Sequence, residues 1–576
     1  MSKAENGKAE TARRKILSNR IFLYMTEFFS GMSVMAVELG ANRLLAPYFS
    51  SSQIVWTIII GTIMIAMSLG NVYGGRAADK NPDPDRLYRR VLIAAVWIAA
   101  IPVFGKYVIL GISALMVVTV STNLLIWAAL FSSLVIFVYP LFLLGTVTPS
   151  LIKYSVDSLE NSGSVAGKLS AANTIGSIIG TFVPTFVTIP TVGTSITFLI
   201  FAGILLALCL VYFFNGKKPH PARVISVLLA FILCCVFGHS THVAFWENDL
   251  TYEGESVYNY LQVKEDENTV SLSTNVLFGV QSVYVKSDRL TGMYYDYAMA
   301  APLMAVSSES GRLYRINGSA ASNGNAPAAD TDSSPVSILI LGNGSGTYAS
   351  QCERCFDNLD IEGVEIDGKI IDLATRYFDE PDDVRVAEYD GRAYLNAIDK
   401  KYDVIMVDAY RDITIPFQMS TTEFFSEVKD HLAPGGVMVV NMNMGAYEDT
   451  FDGQKNEENA DINTYLADTI GSIFNQVYTA AVPGTTNREL FASYRGDGDE
   501  TLPESLSSSI GSVARTDLAD LMTSVQSSLV RYTGKTHVMT DDKAPVEMLG
   551  IRQIDSIIRD ELPYYKEQIL SGNFDF

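Results

Sequence analysis

The sequence ILILGNGSG occupies residues 338–346, and VEID follows at residues 364–367. The apolar run predicts a buried parallel strand, and the glycines directly after it predict a loop whose backbone can approach a ligand closely. An acidic residue at the end of the next strand is where a nucleoside-binding α/β fold holds ribose hydroxyl groups. We therefore interpret residues 338–367 as part of a nucleoside site.

Strand-like and helical segments alternate beyond this stretch. Strands are predicted at residues 338–341, 363–367, 384–388, 403–408 and 436–441, and helices near residues 347–356, 368–378, 391–399 and 421–431. This alternation indicates a doubly wound parallel sheet, which binds its ligands at the carboxyl ends of the strands. Polar candidates follow four successive strands, namely the glycine loop, Glu365 with Asp367, Asp390 and Asp408. The sequence therefore predicts that these groups face one crevice.

Charge divides the chain of 576 residues into two unlike parts, and the length itself calls for at least two domains. Residues 1–223 carry 18 Lys and Arg against 9 Asp and Glu, a net charge of +9, whereas the remainder carries 24 against 54, a net charge of −30. The acidic part favours cationic ligands, and it shows no basic patch for a nucleic acid. The pair Cys352 and Cys355 lacks the second pair that a zinc site needs, so we interpret both as buried or idle thiols.

The first part predicts a multi-pass α-helical membrane domain in contact with a lipid bilayer. Seven apolar segments of about spanning length lie near residues 21–48, 54–74, 91–112, 124–147, 170–190, 195–214 and 223–240. Basic residues concentrate in the tail 1–20 and in every second connection, which predicts a cytoplasmic N-terminus and an extracytoplasmic soluble domain at the cell membrane. Splitting residues 91–121 into two spans would reverse that side. Small residues such as Gly176 and Gly180 predict close helix packing.

Four further boundaries follow from composition. The membrane domain is predicted over residues 21–245. Short alternating runs at residues 252–306 predict a small antiparallel β domain. Residues 307–335, rich in Ser, Gly, Asn, Ala and Asp, predict a flexible linker or insertion. Residues 336–576 then form a Rossmann-like α/β domain.

These motifs resemble the spermidine/spermine synthase family, the polyamine aminopropyltransferases, in the variant fused behind a membrane domain. GNGSG is similar to the family's Gly-Gly-Gly-Asp-Gly loop, VEID matches its Val-Glu-Ile-Asp, and DAYRD at residues 408–412 takes the place of its Asp-Ser-Ser-Asp. ELGANRLLAP at residues 38–47 and TDDKAPVE at residues 540–547 are similar to segments of the fused members. Ser345 stands where the family has an aspartate.

The resemblance implies a role for each matching residue. The implied cofactor-binding residues are Gly342, Gly344, Ser345, Gly346, Glu365, Asp390 and Gln281. The implied catalytic residues are Asp408 and Asp412, and the implied substrate-binding residues are Tyr295, Asp296 and Tyr410. The implied fold is that of the S-adenosylmethionine-dependent transferases.

The implied reaction transfers an aminopropyl group from decarboxylated S-adenosylmethionine, without a metal, to a di- or polyamine or another cationic small molecule. The resemblance also leaves room for a homodimer.

Two alternatives remain open from the sequence. The first is a methyltransferase that uses S-adenosylmethionine on the same fold. The second is a transporter or sensor whose soluble part binds the nucleoside or polyamine without turnover. An extracytoplasmic catalytic domain raises a further question, because adenosyl cofactors are made inside the cell.

Overall fold

The computed structural model describes twelve segments of the chain: 19–49, 52–156, 162–215, 221–240, 242–247, 249–275, 280–305, 335–381, 383–410, 415–443, 460–511 and 513–571. Residues 1–18 of the predicted basic tail and residues 307–334 of the predicted linker lie outside these segments. Asp412 lies outside them as well.

The first part of the chain folds into a bundle of helices. Its helices are α1 (Arg20–Phe49), α2 (Gln53–Lys80), α3 (Pro84–Thr119), α4 (Leu124–Gly145), α5 (Val147–Ser155), α6 (Ser162–Val183), α7 (Ile189–Phe214) and α8 (Pro221–Gly238). A π-helical turn, Pro184–Thr188, joins α6 to α7, and Gly193, with φ of 82°, interrupts the first turns of α7. Each of the seven predicted apolar segments coincides with a helix. Residues 91–119 lie in one continuous helix, so the split into two spans is wrong.

The outer surface of this bundle is strongly apolar. Within the described residues, five helical segments are long and apolar enough to span a membrane, judged by length and composition. Large apolar side chains such as Met64, Leu69 and Phe182 are more than half exposed on the bundle surface. A helix that is apolar on all sides is typical of a protein interior or a bilayer, not of a surface in water.

The two ends of the bundle differ in charge and in contacts. At one end, Lys153 of α5 forms a 2.9 Å ion pair with Asp79 of α2, close to the basic residues that flank α2, α3 and α6. At the other end, the second part of the chain docks. There the hydroxyl of Thr194 donates to Glu255 at 2.6 Å, and the amide of Leu124 donates to Asp555 at 3.1 Å.

The docked part begins with a small sheet of four antiparallel strands in sequential order. The strands are β1 (Leu250–Glu255), β2 (Tyr260–Glu265), β3 (Thr269–Ser273) and β4 (Ser282–Val285). Two short helices follow, α9 (Tyr294–Ala298) and α10 (Ala300–Ala305). The antiparallel sheet predicted near residues 252–306 is therefore present.

An eight-stranded sheet forms the core of the remaining part. Its strands are β5 (Val336–Leu341), β6 (Leu359–Glu365), β7 (Arg385–Glu388), β8 (Tyr402–Val407), β9 (Leu432–Met442), β10 (Gln476–Ala481), β11 (Arg488–Ser493) and β12 (Val530–Arg531). Its helices are α11 (Thr347–Cys355), α12 (Gly368–Tyr377), α13 (Gly391–Leu395), α14 (Thr422–His431), α15 (Ile462–Ile473), α16 (Leu502–Ile510), α17 (Thr516–Ser528) and α18 (Val546–Ser571).

The sheet order is β12-β10-β11-β9-β8-β5-β6-β7, and strands β5 to β9 run parallel. The chain adds β6 and β7 on one side of β5 and then crosses to place β8 on the other side. That reversal between β5 and β8 is the topological switch point, where open α/β sheets bind ligands. The five predicted strands and four predicted helices of this region are all confirmed, with small differences at their ends.

Close packing between α1 and α6 depends on two glycines. A Cβ atom on Gly176 would lie 2.0 Å from the carbonyl oxygen of Phe28, and one on Gly180 would lie 2.1 Å from that of Met32. These distances are far below van der Waals contact, so the two backbones approach as closely as they do only because both positions lack a side chain. The predicted role of these glycines is therefore confirmed.

We predict that Gly176→Ala destabilises the full-length protein by about 1–3 kcal/mol, because α1 and α6 must separate to admit the methyl group. Gly167→Ala on the same helix is the matched control, since a Cβ atom there meets nothing within 4 Å. The control should stabilise the helix by about 0.5–1 kcal/mol. Thermal unfolding of the three proteins measures both effects. Equal melting temperatures for the two variants would contradict the packing.

Candidate active site

A cavity of about 470 Å³ opens at the switch point. Its size lies within the range of small-molecule sites in proteins, roughly 300–1,000 Å³. Eight of the residues singled out from the sequence line it: Gly342, Gly344, Glu365, Asp390, Asp408, Gln281, Tyr295 and Tyr410. The structure thus brings together the four strand ends that the sequence predicted to face one crevice.

The glycine loop folds tightly against the end of β8. Gly342 adopts φ of 88°, and a Cβ atom there would lie 2.6 Å from both the Cα of Ala409 and the carbonyl oxygen of Asp408. The amide of Asp408 donates to the carbonyl of Leu341 at 2.9 Å, which joins the two strand ends directly. Only glycine meets both the conformational and the steric demand at position 342.

Glu365 is buried at the end of β6, and backbone amides hold both of its carboxylate oxygens. Gly344 donates to Oε2 at 2.9 Å, and Asp367 donates to Oε1 at 3.0 Å. Burial raises the pKa of Glu365 to about 7, while these two hydrogen bonds act in the opposite direction. Each carboxylate oxygen has a second lone pair, so Glu365 can still accept hydroxyl groups from a ligand.

Asp367 fastens the small sheet to this strand end. Its Oδ2 accepts from the hydroxyl of Ser256 at 2.5 Å and from the amide of Asn259 at 2.9 Å, and its Oδ1 caps α12. The loop at residues 256–259 forms one wall of the cavity, and Arg43 of α1 donates to the carbonyl of Val257 in that loop. This wall is therefore held by both the Rossmann-like domain and the helical bundle.

Asp408 lies at the end of β8 with both carboxylate oxygens engaged. Oδ2 accepts from the hydroxyl of Tyr294 at 2.7 Å, and Oδ1 accepts from the amide of Asn441 at 3.0 Å. Burial raises the pKa of Asp408 to about 7, and the two hydrogen bonds oppose that rise. A carboxyl group with a pKa near neutrality can exchange a proton with a bound ligand near pH 7.

The predicted substrate-binding tyrosines form walls of the cavity. The hydroxyl of Tyr295 donates to the carbonyl oxygen of Gln281 at 2.5 Å. The hydroxyl of Tyr410 donates to the carbonyl oxygen of Asn441 and accepts from the amide of Asn443 at 3.1 Å. Because both hydroxyls are already held by the protein, the two rings present their faces and edges to a ligand.

Three other predicted residues lie away from the cavity wall. Ser345 is buried behind the loop, where its amide donates to the hydroxyl of Ser282 at 3.2 Å, and Gly346 begins α11. The carboxylate of Asp296 accepts from the backbone of Thr291 and Gly292, at 3.1 and 2.6 Å, and so closes its own turn. The structure does not bring these three to the ligand space, and Asp412 lies outside the described residues.

The two cysteines of α11 are free thiols. Cys352 is buried in the apolar core, and burial raises the pKa of Cys355 to about 11. Protonated thiols are poor nucleophiles and poor metal ligands. Cys352 is buried and Cys355 is partly buried, and both fit the prediction of buried or idle thiols.

The sequence alone did not identify several residues that line the cavity or hold Asp408 from behind its wall. Asn441 ends the predicted strand at residues 436–441, so the rule that selected the other strand ends would also have selected it. Tyr294 precedes Tyr295 within the same motif, and only the turn of α9 shows that it is the one that reaches Asp408. Gln53 at the start of α2 and Glu547 at the start of α18 also line the cavity. Glu547 ends the segment TDDKAPVE, which the sequence had marked by its resemblance to the fused members, whereas no local signal marks Gln53, because the docking of separate domains brings it there.

Comparison with known proteins agrees with this geometry. Residues 326–482 match the family described as the spermine/spermidine synthase domain. A probable polyamine aminopropyl transferase of Bifidobacterium longum is 47% identical over 378 residues, which cover 63% of this chain and 76% of that protein. The chain belongs to the polyamine aminopropyltransferase family.

A polyamine aminopropyltransferase of Vibrio vulnificus is 29% identical over 164 residues, 28% of this chain and 50% of that protein. A crystal structure of a probable spermidine synthase from Corynebacterium glutamicum is 18% identical, covers 50% of this chain and 97% of that chain, and gives a TM-score of 0.32. The segment that matches the aminopropyltransferase family includes Gly342, Glu365, Asp390 and Asp408, whereas Gln53 of the cavity wall lies outside it.

We predict that Asp408→Asn stabilises the protein at pH 8 and that the gain shrinks at pH 5. Folded Asp408 keeps its proton up to about pH 7, whereas an unfolded chain releases it near pH 4, so the wild type loses stability as the pH rises between these values. The expected gain at pH 8 is a few kcal/mol, since each pH unit between the two pKa values is about 1.4 kcal/mol. Melting temperatures at both pH values measure it.

Asp399→Asn is the control, because Asp399 is exposed and its replacement should change the melting temperature little. A gain for Asp408→Asn of the same size at both pH values would contradict a raised pKa at Asp408.

Proposed function

We propose that the protein transfers an aminopropyl group from decarboxylated S-adenosylmethionine to a di- or polyamine. This proposal rests on one observation. Glu365, Asp390 and Asp408, which follow successive parallel strands, line the same cavity. The names of the relatives from Bifidobacterium longum and Vibrio vulnificus support the same reaction.

The residues present suit the nucleoside part of such a donor. Glu365 retains free lone pairs on its carboxylate oxygens and would accept the ribose hydroxyls. Asp390 caps α13, where it accepts from the amide of Ala393 at 2.9 Å, and Gly391 beside it also lines the cavity. Tyr389 and Met419 supply apolar surface on the same side. The cavity therefore has a polar end for the ribose and an apolar wall for the base.

The transfer itself is a displacement at carbon. A neutral amine nitrogen forms a bond to the aminopropyl carbon that is attached to the sulfonium, the carbon–sulfur bond breaks, and its electron pair leaves with sulfur. Methylthioadenosine departs as a neutral thioether, and the new ammonium group loses one proton. No oxyanion forms, so the protein has to position the two reactants, receive the proton and offset positive charge.

Asp408 is placed to receive that proton. Its ionised form accepts hydrogen bonds from Tyr294 and Asn441, which hold the carboxylate in one orientation at the cavity wall. With a pKa of about 7, it is ionised in a large fraction of molecules at neutral pH and still basic enough to take up a proton. Asp412, which lies outside the described residues, stays a predicted catalytic residue.

We also propose that the helical bundle spans a membrane, with a cytoplasmic N-terminus and an extracytoplasmic catalytic part. The docking of the catalytic part at the end of the bundle opposite Lys153 and Asp79 supports this arrangement, because basic loops favour the cytoplasmic side. The apolar outer surface of the helices supports the membrane location.

We predict that the purified full-length protein converts decarboxylated S-adenosylmethionine and putrescine to methylthioadenosine, and that Asp408→Asn lowers kcat by about 10²- to 10⁴-fold. The wild-type kcat/KM should rise with pH through about 7, since the ionised carboxylate takes up the proton. Chromatography of the nucleoside products measures both results. Asp399→Asn, with an exposed side chain, should retain the wild-type rate.

Two outcomes would speak against this reaction. Consumption of S-adenosylmethionine without release of methylthioadenosine would indicate methyl transfer. Binding of either nucleoside without turnover would favour a transporter or sensor.

We predict that a cysteine at position 267, introduced by Glu267→Cys in a variant without native cysteines, reacts with an impermeant maleimide in intact cells. Glu267 is exposed in the small sheet on the catalytic side. Asn81→Cys is the control at the basic end of the bundle and should react only after permeabilisation. The reverse pattern would place the catalytic part in the cytoplasm.

A further inference from the structure

Glu489 of β11 is a buried carboxyl group for which the structure provides no counterpart. Its side chain is 0% exposed, and within the described residues neither of its carboxylate oxygens has a hydrogen-bond partner. No ion pair in the described part of the chain involves Glu489 or Asp408. Burying a carboxyl group without partners costs free energy, and buried polar groups in native proteins are almost always paired.

The strand register places Glu489 beside Asp408. Glu489 lies directly opposite Asn441 in the antiparallel pair of β11 and β9, so the two side chains leave the sheet on the same face. The amide of Asn441 donates to Asp408, and its carbonyl oxygen accepts from the amide of Asn487 at 2.9 Å. Arg488, the neighbour of Glu489 in sequence, points to the other face and donates to Thr479 at 2.8 Å.

Among the described residues, only Tyr294 and Asn441 donate hydrogen bonds to these two carboxyl groups, and both donate to Asp408. Burial first, and then the charges of Asp408 and Glu489, raise the pKa of Tyr410, whose ring lies between the cavity and β9.

A ligand group that suits this region must bring several hydrogen-bond donors and a positive charge. A primary ammonium group carries three donors and no acceptor. The inference rests on the aminopropyl transfer proposed above, in which both the donor and the acceptor carry a primary ammonium group. We propose that Asp408 and Glu489 together bind a primary ammonium group, either that of the aminopropyl donor or that of the acceptor amine.

If Glu489 served only to stabilise β11, an apolar residue would suit its position better. A valine or leucine in the interior of β11 would bury more apolar surface and leave no unpaired charge. Strand stability alone therefore gives no reason for a glutamate at this position. Binding of a cation does, because the ligand supplies the donors that the protein lacks.

Isothermal titration of the full-length protein with three ligands tests this site. Methylthioadenosine lacks an ammonium group, decarboxylated S-adenosylmethionine carries one on the aminopropyl chain, and putrescine is titrated in the presence of methylthioadenosine. In Glu489→Gln, we expect wild-type affinity for methylthioadenosine and a loss of roughly tenfold or more for one of the two cationic ligands. A loss for decarboxylated S-adenosylmethionine assigns the site to the donor, and a loss for putrescine assigns it to the acceptor.

Glu267→Gln removes an exposed carboxylate and should bind all three ligands as the wild type does. Glu489→Met, similar in volume and uncharged, serves as a second variant and should show the same selective loss. Unchanged affinity for both cationic ligands would overturn the proposal, as would a parallel loss of affinity for methylthioadenosine. The titrations need no turnover, so failure of the transfer reaction in the wild type would be seen separately in the product assay.

Discussion

The contact between Gly342 and the backbone of Asp408 and Ala409 is the constraint on which the site depends. The end of β5 and the end of β8 meet there without an intervening side chain, and a direct hydrogen bond from Asp408 to Leu341 locks the two strand ends together. The glycine loop and Asp408 take their positions from this junction. The glycine loop turns toward Glu365 on one side, and Asp408 turns toward α9 on the other.

Around that junction the protein buries several carboxyl groups that do not serve its stability. Glu365 receives two backbone amides and Asp408 receives a tyrosine and an asparagine, whereas Glu489 has no described partner. Neutral donors hold an ionised carboxylate in place, but they do not offset its charge. A cavity built in this way is stabilised most by a ligand that carries positive charge, which is the shared property of a sulfonium and a protonated amine.

The sequence predicted best those features that depend on residues close together in the chain. The run of apolar residues before Gly342, the alternation of strands and helices, and the polar groups after each strand predicted the sheet and placed Glu365, Asp390 and Asp408 correctly at one cavity. The apolar segments predicted the helices of the bundle, and Gly176 and Gly180 predicted its closest contact.

The predictions failed where distant parts of the chain decide the outcome. Asp296 lies in the motif that resembles the family pattern, but the turn at residues 291–296 uses its carboxylate internally. Tyr294 reaches Asp408 because α9 packs against the sheet, and Glu489 reaches the same region through the pairing of β11 with β9. Sheet register and domain docking are non-local, so the sequence around each residue carries no record of them.

The wall of the cavity joins segments that are far apart in the chain. Gln53 begins α2, Asp408 follows β8, and Glu547 begins α18, which reaches back to the bundle through the bond from Leu124 to Asp555. Synthesis proceeds from the N-terminus, so a ribosome has made the whole Rossmann-like sheet before the helix that completes this wall exists. An unfinished chain therefore cannot enclose an adenosyl substrate. The site is complete only after α18 has been synthesised and has docked.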